Sequence, residues 1–290
     1  MRAIMALVAV AAILWGANFN LSKLVVQEMP PLLAGAGRFV LAAMVMGVMV
    51  AWQRQTVPLI RHFRAYAMLG LVGIGGFNLL FFMGMQMTSA VNGALIMAVN
   101  PLATAFLAAL FLGERLSRRQ MVAMPVALAG VAIVVLGGGA SLSLSAGDAL
   151  MLGANLSWAV YNVLSRRLMP AESGLVNTTG IMVMGAVVMS LAALVVGVPV
   201  RMPSPMAAQA LVAMAIGGSA LAYLFWNMGL ARLGAGRTAV FLNLVPVSTM
   251  AIAAAGGQPP SMVQIIGAAV VLAAVSAPMV TTRRPLTVTG

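Results

Sequence analysis

Long apolar runs follow one another along nearly the whole chain, and short stretches of Pro, Gly and charged residues separate them. A transmembrane helix needs about 20 mainly apolar residues. Runs of that kind predict ten helices, which cover residues 3–26, 31–52, 66–86, 89–112, 119–137, 148–168, 174–197, 207–230, 237–256 and 261–281. An outer-membrane barrel would show short alternating segments instead of continuous runs. The pattern therefore predicts an all-α integral membrane protein with ten transmembrane helices.

Landmarks in the first half of the chain recur in the second half in the same order. The stretch WGANFNLSK at 15–23 aligns with WAVYNVLSR at 158–166, an offset of 143 residues, and Pro101 aligns with Pro246 at an offset of 145. Because each half carries five predicted helices, an odd number, the second half must enter the membrane from the opposite side. The predicted inverted five-helix repeats are residues 1–140 and 141–290. Secondary transporters commonly use such repeats for alternating access.

Composition and charge agree with this pattern. Hydrophobic residues make up 62% of the 290 residues and charged residues only 7%, with a mean hydropathy of +1.07, which leaves too little polar surface for a water-soluble fold. In a soluble protein the net charge of +12 would suggest a nucleic-acid partner. If the N-terminus is cytoplasmic, however, thirteen arginines fall on the cytoplasmic side and Arg201 alone falls in an outer loop. This bias predicts cytoplasmic N- and C-termini in a bacterial inner membrane, and no nucleic-acid partner.

Four of the predicted helices carry polar and aromatic side chains on one face near the middle of the membrane. At the period of an α-helix, one stripe of the first helix groups Trp15, Asn18, Phe19 and Ser22. The matching faces of the third, sixth and eighth helices hold Asn78, Phe81 and Phe82; Trp158, Tyr161 and Asn162; and Tyr223, Trp226 and Asn227. We expect the four faces to converge on a central substrate pocket. The alternative is that each amide or hydroxyl only joins two helices, by a hydrogen bond of about 0.6–2 kcal/mol.

Two prolines and one buried charge add further candidate positions. Pro101 and Pro246 lack a backbone donor and are expected to kink their helices, which makes the neighbouring Asn100 and Asn243 candidates for substrate binding. Arg38 is the deepest charge in the predicted spans. It is expected either to bind a substrate carboxylate or to hydrogen-bond the carbonyls of a kinked backbone.

Two further charges lie near the predicted membrane surfaces. Lys23 is expected near the outer mouth, where it can snorkel or pair with Glu28. Glu114 is expected at the cytoplasmic edge in a structural ion pair, with Arg115 and Arg118 close by in the sequence.

Missing residue types exclude several function classes. The chain has no Cys, its one histidine, His62, lies in a basic loop, and Asp148 stands alone at the start of a predicted helix. An intramembrane protease would need a Ser/His, metal or paired-Asp centre. No phosphate-binding loop is visible, so ATP is not expected to be the direct energy source. We expect no enzymatic activity, no cofactor and no metal site.

The stretches WGANF, AGRFVLA and NPLATAFLAALFLGERLSRRQ resemble the EamA family of the drug/metabolite transporter superfamily. The aromatic faces make the chain most similar to the YddG-type bacterial exporters of aromatic and other neutral amino acids. The resemblance implies an inner-membrane exporter whose two halves rock around a central cavity. The second half has Gln258 where the first has Glu114, and it has no basic counterpart of Arg38, so no role is transferred through the repeat at these positions.

The candidate residues indicate the same substrate class independently. Aromatic rings beside amides suit a small neutral amphiphilic molecule, because amides satisfy an ammonium and a carboxylate without a fixed charge. Proton coupling normally needs a titratable group that is exposed to the two sides in turn. Glu114, at the edge of the membrane, is the only carboxylate in a plausible place, so transport is expected to follow the substrate gradient or to exchange substrates. The alternatives are a proton-coupled drug/metabolite efflux pump, a lipid-linked precursor flippase and a non-transporting scaffold. The expected partners are the small-molecule substrate and membrane lipid, and a monomer is compatible with the predicted site.

Overall fold

The described part of the chain consists of helices joined by short connections and contains no strand. The computed structural model describes residues 1–114, 116–137, 145–200, 202–233, 238 and 240–277, except for the side chains of 134–137, 227, 230, 231 and 240. The α-helices delimited there are α1 Arg2–Glu28, α2 Pro31–Trp52, α3 Phe63–Gly70, α4 Phe77–Met87, α5 Ala90–Ala98, α6 Asn100–Leu112, α7 Arg118–Gly137, α8 Ala146–Leu168, α9 Gly174–Val196, α10 Pro205–Ala213, α11 Ala222–Leu233, α12 Leu244–Ala255 and α13 Met262–Ser276. The first π segment is Leu71–Gly76, the second π segment is Met214–Leu221, and a 3₁₀ turn covers Val240–Asn243. The all-α prediction is confirmed.

Several of these helices join end to end into longer rods. α3, the first π segment and α4 are continuous over Phe63–Met87, and α10, the second π segment and α11 are continuous over Pro205–Leu233. α5 and α6 meet at Val99. Short π-helical stretches inside α-helices are rare, and those that occur often lie at functional sites.

Six rods in the described residues are long and apolar enough to cross a membrane. They are Arg2–Glu28, Pro31–Trp52, Phe63–Met87, Ala90–Leu112, Gly174–Val196 and Pro205–Trp226. Two apolar helices, Phe241–Ala255 and Met262–Ser276, are shorter. α8 is 23 residues long, but Asp148, Asn155 and Asn162 make it more polar than the six rods. The number of ten transmembrane helices therefore stays a prediction.

Close contact between helices joins the rods. α2 packs on α9, α7 on α13, α4 on α8, and α1 on α11. Because lipid is as apolar as these side chains, packing rather than burial from water holds such helices together, and small residues at the contacts allow close approach. The ring of Tyr66, for example, lies directly on Gly180. Large apolar side chains such as Val48, Leu110 and Leu194 are exposed, as a surface that faces lipid requires.

Lys23 caps the C-terminal end of α4 with its side chain. Its Nζ donates to the carbonyl oxygens of Met85 at 2.7 Å and Thr88 at 2.5 Å. A cation is stabilising at this end of a helix because of the helix dipole and the unpaired carbonyls. The ion pair with Glu28 that the sequence allowed is not formed. Glu28 instead accepts hydrogen bonds from the backbone nitrogen and the hydroxyl of Ser204, both at 2.7 Å.

Glu114 forms an ion pair, as predicted, but its partner is Arg166 at the end of α8. Arg118 was the expected partner, together with Arg115, which lies outside the described residues. The Glu114 and Arg166 side chains are 51% and 48% exposed. An ion pair with that exposure contributes little stability, because water screens it.

Asp148 lies at the junction between α4 and α8 and is only 3% exposed. Its carboxylate accepts hydrogen bonds from Thr88 Oγ1 and Ser145 Oγ, each at 2.5 Å. The Ser145 hydroxyl in turn accepts the backbone N–H of Asp148 at 3.0 Å, which caps the start of α8.

Replacing Asp148 by Ala should lower the free energy of unfolding by about 1–3 kcal/mol, because the buried Thr88 hydroxyl and the Ser145 hydroxyl lose their acceptor. Thermal unfolding of the purified protein in detergent measures the effect. Glu28→Ala is the matched control, since the partner of that exposed carboxylate, Ser204, can bond to water instead. Equal melting temperatures for the two variants would contradict the role assigned to Asp148.

Candidate functional site

Nine aromatic rings in the described residues contact one another in a continuous aromatic cluster. Its members are Trp15 and Phe19 of α1, Phe77, Phe81 and Phe82 of α4, Trp158 and Tyr161 of α8, and Tyr223 and Trp226 of α11. The centroids of neighbouring rings lie between 4.9 and 6.0 Å apart. Aromatic pairs attract one another at these distances. The four predicted helix faces thus supply rings to one common cluster.

Trp158 joins the two ends of the aromatic cluster. Its ring lies 5.1 Å from Phe77 on one side and 6.0 Å from Tyr223 on the other. Tyr223 continues to Trp15 at 5.8 Å, edge to face. Within the described ring contacts, no other residue connects the rings of α4 with those of α11. Trp158 is therefore the central member of the cluster.

Phe77 is a member of the aromatic cluster that the sequence reasoning missed. It lies four residues before Phe81, and their ring centroids are 5.6 Å apart. Residues four apart lie on the same face of a helix, so this spacing was the signal available in the sequence.

A small cavity lies against the aromatic cluster. Its lining includes Gly73, Ile74, Trp158, Tyr161, Met182 and Tyr223. The volume open to the centre of a water-sized sphere is about 10 Å³, which is room for about one water molecule. A larger molecule can enter only if the surrounding helices move. Met182 belongs to α9, which also supplies Thr178 to the lining, and the sequence reasoning assigned no functional face to this helix.

The predicted face of α1 lies against the second π segment. Trp15 Nε1 donates to the carbonyl oxygen of Gly218 at 3.0 Å. A Cβ atom at Gly218 would lie 1.9 Å from Nδ2 of Asn18, so only glycine leaves room for this amide. Ser22 Oγ donates to the carbonyl of Asn18 at 2.6 Å and lies 3.9 Å from the sulfur of Met214. Asn18 and Ser22 are therefore buried between two helices.

The predicted face of α8 covers the first π segment in the same manner. Ser157 Oγ donates to the carbonyl of Val72 at 2.9 Å. A Cβ atom at Gly73 would lie 2.3 Å from the ring of Tyr161. Ser157 was not among the predicted site residues, because its partner lies on another helix and leaves no trace in the local pattern.

The two π segments and their covering residues occupy matching sequence positions. In the alignment of the two halves, Tyr161 corresponds to Asn18 at the offset of 143 residues, and Gly73 corresponds to Gly218 at the offset of 145. Each glycine is covered by the residue at the corresponding position. The same contact therefore occurs twice in the chain.

Amide side chains at the junction of α5 and α6 form a separate hydrogen-bond network. Asn100 Nδ2 donates to the carbonyl of Asn155 at 2.9 Å. Asn162 Nδ2 donates to Asn100 Oδ1 at 3.2 Å and to Thr104 Oγ1 at 3.1 Å. Asn155 Nδ2 donates to the carbonyl of Ile96 at 2.6 Å. Ile96 is among the last four residues of α5, whose carbonyls lack a partner within the helix.

The two predicted proline positions lie at the starts of helices. Pro101 is in the first turn of α6, directly after the interruption at Val99, and Pro246 is in the first turn of α12, after the 3₁₀ turn. Asn243 Nδ2 donates to Ser276 Oγ of α13 at 2.7 Å, so its described partner is outside the aromatic cluster. Asn227 belongs to α11, and its side chain lies outside the described part of the chain.

Arg38 of α2 is buried, with 5% of the residue exposed. Its Nε donates to Ser219 Oγ at 3.0 Å, and its Nη1 donates to Asn78 Oδ1 at 3.5 Å. Asn78 Nδ2 donates to the carbonyl of Ile74 at 3.0 Å. The described hydrogen bonds of Arg38 thus go to side chains, whereas the sequence suggested carbonyls of a kinked backbone as one option.

The site combines aromatic rings, neutral polar groups and one buried cation. Ring faces can bind a flat apolar group, and a few hydroxyls and amides can orient a polar one. In the residues that the structure describes, no group of three or more His, Cys, Asp or Glu could hold a metal ion. The arrangement is suited to binding a small amphiphilic molecule.

Two segments of the chain, residues 2–136 and 145–277, match the EamA-like transporter family. The chain is 40% identical over 269 residues to "Uncharacterized transporter YyaM" of Bacillus subtilis (strain 168), a match that covers 90% of this chain and 88% of that protein. It is 30% identical over 234 residues to "Probable terminal-alkyne amino-acid exporter" of Streptantibioticus cattleyicolor, covering 79% of this chain and 76% of that protein. A solved crystal structure with 20% sequence identity covers 97% of both chains at a TM-score of 0.73, which shows a similar fold.

Gly218→Ala and Gly73→Ala should each lower the free energy of unfolding by about 1–3 kcal/mol, because the added methyl overlaps the side chain of Asn18 or Tyr161. Gly47→Ala is the matched control, since nothing lies within 4 Å of a Cβ at that position of α2. Thermal unfolding of the three purified variants measures the difference. If all three are as stable as the parent protein, the close contacts at the π segments are wrong.

Proposed function

Since the chain belongs to the EamA-like transporter family, and is therefore a membrane transporter rather than an enzyme, we propose that it exports aromatic and other hydrophobic amino acids. The proposed location is the inner membrane of a bacterial cell, with both termini in the cytoplasm. The proposed mechanism is alternating access around the cavity beside the aromatic cluster.

The aromatic cluster is the observation that carries the substrate proposal. Trp158, Tyr161 and Tyr223 belong both to the cluster and to the lining of the cavity. Each additional pair of aromatic rings contributes about 0.5–1.5 kcal/mol beyond the area it buries. A substrate with an aromatic or large apolar side chain would replace the ring contacts that are lost when the cavity opens. The polar end of an amino acid would find its partners among the neutral groups and the cation around this cavity.

The relatives support the same substrate class. The Streptantibioticus cattleyicolor relative is named an amino-acid exporter, and it is 30% identical over most of both chains. Its name and the aromatic cavity are independent observations, because one comes from sequence similarity and the other from the packing of this chain.

We propose further that the chain forms ten transmembrane helices in two inverted repeats. The proposed repeats are residues 1–140 and 141–290. Two observations support them. The family matches the chain twice, once in each proposed repeat, and the glycines Gly73 and Gly218 are covered by residues at corresponding positions.

The packing suggests which helices move together. α1 packs on α11 and the second π segment, and α8 packs on α4 and the first π segment. The first helix of each proposed repeat, α1 or α8, therefore packs against helices of the other repeat. The ring contacts Trp158–Tyr223 at 6.0 Å and Phe19–Phe81 at 5.3 Å join these two groups of helices. Opening the cavity would separate such contacts while the helix pairs that carry them stay together.

Counterflow in liposomes tests the substrate proposal. Liposomes that contain the protein and are loaded with unlabelled tryptophan should take up labelled tryptophan and phenylalanine from outside. Trp158→Ala and Trp15→Ala should each slow this exchange about tenfold, because each ring makes several contacts of about 0.5–1.5 kcal/mol in the aromatic cluster. Trp52→Ala is the matched control, since that ring lies at the end of α2 and is 87% exposed.

No exchange of any amino acid by the parent protein would overturn the substrate proposal. Normal exchange by both cluster variants would show that the aromatic cluster is not the substrate site. The Trp52 variant separates these results from a general effect of losing a tryptophan.

The carboxylates of the chain support transport that follows the substrate gradient or exchanges substrates. Glu114, the residue best placed by sequence for proton coupling, is half exposed and paired with Arg166. No carboxylate is among the residues that line the described cavity. We therefore expect an imposed pH gradient to cause no accumulation of labelled tryptophan above equilibrium in liposomes. Accumulation that collapses on addition of a protonophore would establish proton coupling instead.

A further inference from the structure

Arg38 is a buried cation without an acidic partner among the residues that the structure describes. Its described hydrogen bonds go to two neutral side chains, Ser219 at 3.0 Å and Asn78 at 3.5 Å. An arginine has five N–H donors in a planar fork. The contact with Asn78 is also at the long limit for a hydrogen bond. The guanidinium is thus held in place by weak partners.

The four carboxylates of the chain all have other partners. The sequence contains only four Asp and Glu residues, and all lie in the described part of the chain. Their partners are Ser204 for Glu28, Arg166 for Glu114, Thr88 and Ser145 for Asp148, and His62 for Glu172. No side-chain carboxylate is therefore left to neutralise Arg38. A buried charge without a counterion is costly, so the position favours an anion supplied from outside the chain.

Arg38 is connected to the cavity lining through its two hydrogen-bond partners. Asn78, which accepts from Arg38, also donates to the carbonyl of Ile74, and Ile74 lines the cavity. Ser219, the second partner of Arg38, lies in the second π segment, and Tyr223 of the cavity lining follows four residues later in the same rod. Both hydrogen-bond partners of the cation are thus linked to residues that line the cavity, Asn78 by a hydrogen bond and Ser219 along the chain.

We propose that Arg38, together with the hydroxyl of Ser219, binds the carboxylate of the substrate while the aromatic side chain of that substrate lies among Trp158, Tyr161 and Tyr223. The guanidinium fork matches a carboxylate with two parallel hydrogen bonds, which are stronger than its bond to a neutral amide. Asn78 Oδ1, released from Arg38, becomes free to accept from an ammonium group. The inference rests on the proposed function for its substrate, and it limits that substrate to molecules with a carboxylate, excluding the corresponding amines and amides.

Binding of two probes that have nearly the same size but differ in charge tests this role. Indole-3-propionate and indole-3-propionamide differ in charge at one end and share the same ring. The parent protein in detergent should bind the acid at least about tenfold more tightly than the amide, as the shift of its melting temperature with ligand concentration reports. Arg38→Gln should lose this preference, and Arg38→Lys should keep part of it. Arg64→Gln removes the same charge from an exposed position and should bind like the parent protein.

Three results would overturn the proposal. They are equal binding of acid and amide by the parent protein, binding of neither probe, and an unchanged preference in Arg38→Gln. If Arg38→Gln does not fold, the parent protein and Arg38→Lys still decide the question. Failure of tryptophan counterflow together with a clear preference for the acid would refute amino-acid export and leave the carboxylate site intact. Normal counterflow with no preference for the acid would refute only the carboxylate site.

Discussion

Irregular backbone within the membrane needs hydrogen-bond donors from the protein, because the hydrocarbon core offers none. Side chains from neighbouring helices provide them here. Trp15 donates to Gly218 in the second π segment, and Ser157 serves the first π segment. At the end of α5, Asn155 donates to Ile96. The arrangement of the helices around the candidate site depends on these contacts.

The need for hydrogen-bond donors within the protein gives most amide side chains a different role from most aromatic rings. Asn18, Asn100 and Asn162 are held between helices by contacts or hydrogen bonds within the protein. Among the rings of the aromatic cluster, only Trp15 has a described hydrogen bond, to Gly218, and three of the others line the cavity. The amides and Trp15 therefore position the helices, whereas Trp158, Tyr161 and Tyr223 are the rings proposed to meet a substrate. It also follows that α1 and the second π segment should move as one body, since separating them would remove the partner of the Gly218 carbonyl.

Residues whose role depends on their own helix were predictable from the sequence. The helical period grouped Trp15 with Phe19 and Trp158 with Tyr161, and these rings do lie in one aromatic cluster. Partners on distant helices were not predictable. Lys23 was expected to snorkel or to pair with Glu28, but its partners are the carbonyls at the end of α4. The first π segment changes the angular position of α4 residues relative to those of α3, which the local pattern did not indicate. Phe77 and Phe81 both follow that segment, so their spacing of four residues was still readable in the sequence.

The amino-acid sequence by itself determined that the chain is helical, apolar and related to a transporter family, because hydropathy, helical period and family motifs are properties of local sequence. It also determined that only four carboxylates exist to neutralise the basic residues. Only the tertiary structure decided that none of them pairs with Arg38, that Gly73 and Gly218 receive side chains from other helices, and that one ring, Trp158, connects the aromatic cluster. The physical reason is that these contacts join residues far apart in the chain, and their geometry arises only when the helices pack together.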